Sequence, residues 1–498
     1  MKMRYYIAVV GLLLAISGMA QPLGYYNDAL IFSQTNAFGS TARIQGIGGA
    51  QVSLGGDLSS AGVNPAGLGF YNKSAFSFTP SVNFHDAEGI YNGERTASYQ
   101  PNLNLPNMGV VLNHTIGDIP DSKFKGGSFA ISVTRINDFN QKFAYQGYSP
   151  NASIVDAFIN NAGTTLADNL PELEYAAYSN FLIDPELDTD GNITNYVTFA
   201  GLEPLQTERV ITSGGQNQLN FSWGGNYNDQ VYFGAGMGVQ TLNYERKRFY
   251  SESDFLDDNN YLNSLSVNDE LSINGTGLNG TFGMIVRPMN FVTFGISYTT
   301  PTYYSLRDES GLSVSSNWNN FQYDEDNLLI SESYVSDITV SNYNLRTPAR
   351  LNLGASAFIG KRGFITGDVE FVDHGSAILQ SNTAEFDMNA DNQEIVNQFN
   401  SVINYRVGAE IRLEEFRFRG GYNYMADPYR NSQYDRSRSI LTFGVGYRHK
   451  DYFIDLAVVK SYYDQFYSPY EMADVADQPV IQVTNDNTSI SATVGFNF

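Results

Sequence analysis

The sequence predicts an all-β protein, a 14-stranded antiparallel transmembrane β-barrel with an N-terminal plug segment. Three observations predict it. Apolar and polar residues alternate with a period of two over long stretches. The connections between these stretches alternate between short and long. An export-type leader comes first, and no later run reaches the ~20 apolar residues of a spanning helix.

The leader opens the chain. Lys2 and Arg4 precede an apolar run from Ile7 to Ile16, and Ser17-Gly18-Met19-Ala20 supplies the small residues of a cleavage site. The expected organisation is a signal peptide over residues 1–20, a plug over 21–72 and a barrel with long extracellular loops over 73–498. The destination this implies is the outer membrane. Composition narrows the function. The 498 residues include no Cys, which excludes disulfides, thiolate zinc sites, a Cys nucleophile and a lipid-acylated Cys. A net charge of −23 argues against nucleic acid as a partner.

The strand signal is cleanest near the C-terminus. Ile490, Ala492, Val494, Phe496 and Phe498 alternate with Ser489, Ser491, Thr493, Gly495 and Asn497. Tyr405, Val407, Ala409, Ile411 and Leu413 alternate with Asn404, Arg406, Gly408, Glu410 and Arg412. Val292, Phe294, Ile296 and Tyr298 do the same with Thr293, Gly295, Ser297 and Thr299. A soluble sandwich also alternates, but its strands are about five or six residues long, whereas these run to about 12–18. The chain also ends on an aromatic residue, Phe498, inside its last strand.

Short turns fix the strand count. They fall at 117–125, 227–230, 287–290, 361–362, 414–415 and 449–451. With both ends of the wall on the short-turn side, six such turns give fourteen strands, an even number. Pro80 predicts a bulge in the first strand. Outer loops are expected at 144–215, 249–266, 307–343, 381–401 and 467–487. Their acidity reads as solvation. Glu186, Asp188, Asp190 and Gly191 imitate the start of a calcium loop, but position twelve is Val197, so a plain turn is expected and no metal.

Three groups of residues are candidates for function. In the largest loop Ile154, Val155, Phe158 and Ile159 have helical spacing. They either pack on their own loop or form an apolar lip that captures a greasy ligand. In the plug, Gly46, Gly48, Gly49, Gly55, Gly56 and Gly67 with Asp57, Asn64, Pro65 and Ala66 supply small residues and turn chemistry. On polar strand faces stand Arg406, Glu410, Arg412, Arg417 and Arg419. The four Arg either bind a carboxylate or are neutralised by Glu410, Asp368, Glu370 and Asp455 in a network from wall to plug. None of the four His stands in a hydrolase motif, so no enzyme and no cofactor is expected.

The run from Gly39 to Tyr71, with Asn64-Pro65-Ala66 near its end, resembles the N-terminal hatch of the FadL/TodX family of outer-membrane transporters. The segments 283–301, 345–358 and 416–428 resemble that family's paired strands. The resemblance implies a monomer of fourteen strands that takes up long-chain fatty acids or aromatic hydrocarbons passively. It also implies capture by outer loops, passage through the lumen, hatch movement and a kinked third strand that opens a lateral route. In the third strand Arg135 falls on the apolar phase, which fits either a bulge or arrival at the polar interface. The expected partners are a hydrophobic small-molecule ligand, outer-membrane lipid and, during insertion, the barrel-assembly machinery. The alternative function is an outer-membrane scaffold or shuttle for secreted or surface proteins.

Overall fold

The computed structural model describes residues 24–35, 39–115, 122–150, 152–256, 261–381, 387–430, 433–474 and 477–498. The leader assigned to residues 1–20 and most of the first short turn lie outside them.

The wall is a closed antiparallel barrel of 14 strands. They are β1 (Ala75–Tyr91), β2 (Glu94–Thr115), β3 (Phe124–Asp138, continuing as Gln141–Tyr148), β4 (Leu205–Tyr227), β5 (Val231–Ser253), β6 (Leu262–Met289) and β7 (Val292–Thr299, continuing as Tyr303–Gln322). Then follow β8 (Thr339–Arg346 and Arg350–Phe358), β9 (Gly363–Asp373 and Ile378–Ser381), β10 (Ser401–Leu413), β11 (Phe416–Met425), β12 (Arg438–Arg448), β13 (Tyr452–Tyr467) and β14 (Ile481–Asn497). β14 pairs with β1 from Ala75↔Asn497 to Ile90↔Gln482, which closes the sheet.

Alternation sorts the side chains. Phe76, Phe294, Phe418, Phe443 and Leu456 are exposed, while Thr293, Thr442, Asp455 and Ser491 are buried. The apolar face therefore looks outward and the polar face inward, as lipid on one side and a filled lumen on the other require. The expected bulge at Pro80 is present as a register shift between Thr79 and Ser81.

The outer connections differ from expectation. β4 begins at Leu205, not near Gln216, and β7 runs to Gln322 before a further strand, Leu328–Val335, folds back on it. The outer ends of β5, β6 and β7 thus carry ladders where loops were expected. Apolar alternation stops where the outer face leaves lipid, but backbone pairing needs no apolar face, so the ladder outlasts the signal. The β1–β2 connection is a tight turn at Asn92 and Gly93, with φ of 47° and 89°. Outer connections are therefore not uniformly long.

The N-terminal segment forms α1 (Tyr26–Ser33), α2 (Ala42–Gln45), α3 (Ser60–Val63) and a 3-10 turn, Pro65–Phe70. Its bonds reach inward-facing residues of strands spread round the wall. Ala42 N–H donates to Thr493 Oγ1 at 2.8 Å, Gly48 N–H to Thr442 Oγ1 at 2.9 Å, and Gln51 and Val52 N–H to Asp368 Oδ2 at 2.6 and 2.9 Å. Thr293 and Ser222 hydroxyls donate back to Ser53 O and Ala61 O. Wall glycines permit this approach: a Cβ on Gly408 would collide with Ile47 O.

α1 sits farther out. Ala29, Leu30 and Phe32 are buried among Leu242, Tyr244, Ile273, Tyr304, Leu306 and Leu345. Tyr26 N–H donates to Asp391 Oδ1 at 3.1 Å, on α6 (Asn389–Gln398) in the connection after β9. The strands begin at the short-turn end, yet the first described helix lies toward the long-connection end.

Candidate functional site

The wall is interrupted at β3. Below the interruption β3 pairs with β2 from Thr115↔Gly126 to Asn107↔Thr134. Above it β2 pairs only with β1 and β3 only with β4. Register shifts mark the change, with one between Arg135 and Asn137, followed by a break before Gln141. A bulge therefore follows Arg135, at Ile136.

The upper part of β3 turns inside the barrel. Tyr145 is fully buried among Ala87, Tyr91, Ile481 and Val483, all on inner wall positions. Phe139 packs edge-on to Phe32 and Tyr244, with ring centres 5.9 and 5.2 Å away. Asn137 Nδ2 donates to Gln34 O at 3.0 Å, just beyond α1. The edge of β2 left behind carries Leu103, which is 82 % exposed.

A cavity of about 190 Å³ lies behind the interruption. Thr134, Arg135 and Ile136 line it from the wall, and Phe32 and Ser33 from α1. Much of the rest is amide and hydroxyl, with Gln218, Gln240, Asn279 and Thr302 joined by hydrogen bonds. Arg135 Nε donates to Asn104 Oδ1 at 2.8 Å across the point where β2 and β3 part.

The small-residue motif of the N-terminal segment borders this cavity through Gly49 and Gly62. Gly48, Gly49 and Gly56 take φ of 69°, 81° and 69°, which favours glycine there. Asp57 accepts from the Thr41 hydroxyl and the Ser59 N–H. Asn64 donates to Val52 O at 2.7 Å and accepts from Ala66 N–H at 3.2 Å, pinning the start of the Pro65 turn. Gly46 approaches Gly444 closely, Gly55 the Phe70 ring and Gly67 the Ser60 side chain.

The charged candidates do not stand free. Arg419 bridges Glu410 at 2.8 Å and Asp455 at 2.7 Å, Arg412 holds Glu410 at 2.7 Å, and Arg406 with Arg350 clamps Glu370 at 3.1 and 3.2 Å. Arg417 is directed to the carbonyls of Glu414 and Phe416 near the short turn. These geometries match a neutralised network better than an open carboxylate site.

The four loop residues on α4 (Ile154–Ala162) face a core. Ile154, Val155 and Phe158 are buried, and Ile159 is packed against them, with Leu182, Trp318 and Leu329 in the same cluster. Ser153 caps the helix and donates to Glu252 at 2.5 Å. Of the two readings, the helix packed on its own loop fits these contacts, because each apolar side chain meets another in the cluster. Asp188 accepts from the Asn192 side-chain amide and from the backbone N–H groups of Asn192 and Asp190, which pulls its carboxyl below the usual range and makes the calcium-like run a hairpin turn.

Sequence reasoning missed Thr134, Ile136, Phe32 and the amide wall. A signal for the last was present: Gln216, Gln218 and Asn220 alternate on the inner face of β4, where neighbouring strands carry Gly and Ser.

No protein-family model matches the chain, and no curated protein matches it in sequence. Solved structures do match in shape. A Pseudomonas aeruginosa FadL homologue superposes with a TM-score of 0.55 at 13 % identity, over 92 % of this chain and 98 % of that one. The Pseudomonas putida toluene transporter TodX gives 0.51 at 12 % identity, over 93 % and 99 %. The fold is that of the FadL/TodX channels. Among the described residues no helix is long and apolar enough to cross a membrane.

Proposed function

We propose that the chain is an outer-membrane channel for passive uptake of hydrophobic small molecules. The observation that carries the reading is a coincidence of position: Thr134, Arg135 and Ile136 both end the β2–β3 pairing and line the lumen cavity. A molecule in that cavity lies beside the interruption in the wall. It can leave sideways into lipid, which is favourable for an apolar body.

Residues 39–72 act as the hatch that fills the inner lumen, and α1 closes the outer half. The apolar collar around α1 suits the ligand's apolar body. The amides and Arg135 below suit a polar end, which favours a long-chain acid over a bare hydrocarbon. Export uses the leader 1–20, the barrel-assembly machinery inserts the barrel, and the protein works as a monomer in outer-membrane lipid.

The test is uptake of labelled long-chain fatty acid and of toluene by knockout and complemented cells, with lipid mass spectrometry on the purified protein. Fatty-acid uptake lost in the knockout and restored by the gene supports the reading. Unchanged uptake of both compounds with an empty barrel overturns it.

A further inference from the structure

The strand Leu328–Val335 continues β8 outward along β7, past Tyr343, where the pairing of β8 with β9 stops among the described residues. It pairs with the outer part of β7, from Ser313↔Val335 to Gln322↔Leu328, and with no other strand among the described residues. Ser336 N–H donates to Leu312 O at 2.9 Å. Bonding positions alternate along an antiparallel pair, so Tyr334 and Glu332 take the ladder to β7. The N–H and C=O groups of Ser331, Ser333 and Val335 then point away from it.

This edge lies beyond the lipid. On the outer wall Lys247 pairs with Glu270 at 3.1 Å and Arg307 with Glu309 at 2.7 Å, all four well exposed. Exposed ion pairs do not sit in hydrocarbon. Glu270 is level with Gly311, so the part of β7 that carries this strand, from Ser313 outward, is farther out still. Yet Val335 is 75 % and Ile338 71 % exposed, with Ile330 and Val340 also exposed. Proteins usually blunt such an edge with Lys, Pro or a covering element. The run 328–340 contains neither Lys nor Pro.

Charge selects the occupant. Asp324, Glu325 and Asp326 precede the strand, Glu332 lies in it and Asp337 follows, with Glu172 of α5 (Glu172–Ser179) close by. No Lys or Arg lies between Arg307 and Arg346. A second copy added antiparallel would set Asp337 of one chain against the acidic turn of the other. We propose that this edge binds, by strand addition, an extended segment of another protein in which Lys or Arg alternates with apolar residues.

The probes are two fluorescein-labelled eight-residue peptides, one alternating Val and Lys and one alternating Val and Glu. Anisotropy is measured with the full chain in phosphatidylethanolamine/phosphatidylglycerol nanodiscs. The Val–Lys peptide is expected to bind at least tenfold more tightly than the Val–Glu peptide. Ser333→Pro removes an outward N–H, spares the β7 ladder and should weaken binding at least tenfold. Asp337→Lys, which leaves the backbone untouched, should weaken it several-fold and guards against misfolding of the proline variant. Absence of Val–Lys binding, equal binding of the two peptides, or full binding by both variants overturns the proposal. So does a dimer in light scattering that Ser333→Pro abolishes, because the occupant is then a second copy.

Discussion

Tyr343 donates to Asp28 Oδ2 at 2.9 Å, tying α1 to β8 inside the barrel. Burial raises the Asp28 carboxyl from 3.8 to about 7; Tyr343 and Arg246 oppose the rise, and Asp308 and Asp391 add to it. The docked helix therefore holds a proton that the free helix loses near pH 4. Docking is strongest below that pH and weakens as pH rises through about 7. Hydrogen exchange in α1, corrected for intrinsic rates, should accelerate from about pH 4 to about 7 and level off above. Asp28→Asn should flatten the dependence.

Asn64 holds two parts of the N-terminal segment together. Asn64→Ala leaves Val52 O and Ala66 N–H without this partner, a cost of about 1–3 kcal/mol. Exchange protection over residues 50–68 should fall while the thermal unfolding of the barrel stays within a few degrees. Asn64→Asp, which keeps the acceptor and loses the donor, should fall between the two.

Gly408 faces Ile47 O so closely that any side chain must displace one of them. Gly408→Ala should leave the wall paired and loosen the segment it touches. Single-channel recording should then show more frequent openings than the parent protein.

Arg419 is fully buried between Glu410 and Asp455. Arg419→Met leaves Glu410 to Arg412 and Asp455 to Arg448 alone and should cost about 1.5–3 kcal/mol in urea unfolding. Arg417→Met, at the exposed short-turn end, should change stability by less than about 0.5 kcal/mol.

The wall was legible because lipid imposes apolar residues on every second position, and the six short turns counted it. The Asn64-Pro65-Ala66 turn was legible for a similar reason, since few residues satisfy its backbone. The route was not. Thr134 and Ile136 differ in no local way from other strand residues, and only the partner lost by β3 sets them apart. The ion pairs of Arg406 and Arg419 depend on strands far apart in sequence, so spacing could list the charges without pairing them. The α4 residues showed helical period, which cannot tell a loop core from an open lip.

The lateral route is the central claim, and stitching the interruption tests it most directly. Asn104→Cys and Arg135→Cys place the only two thiols of the chain on either side of it. A short bifunctional thiol reagent then joins β2 to β3 in cells that depend on this protein for fatty-acid uptake. Uptake should fall at least tenfold on cross-linking, stay normal in each single variant, and recover when a cleavable reagent is cut. Unchanged uptake with complete cross-linking would contradict lateral exit through this wall.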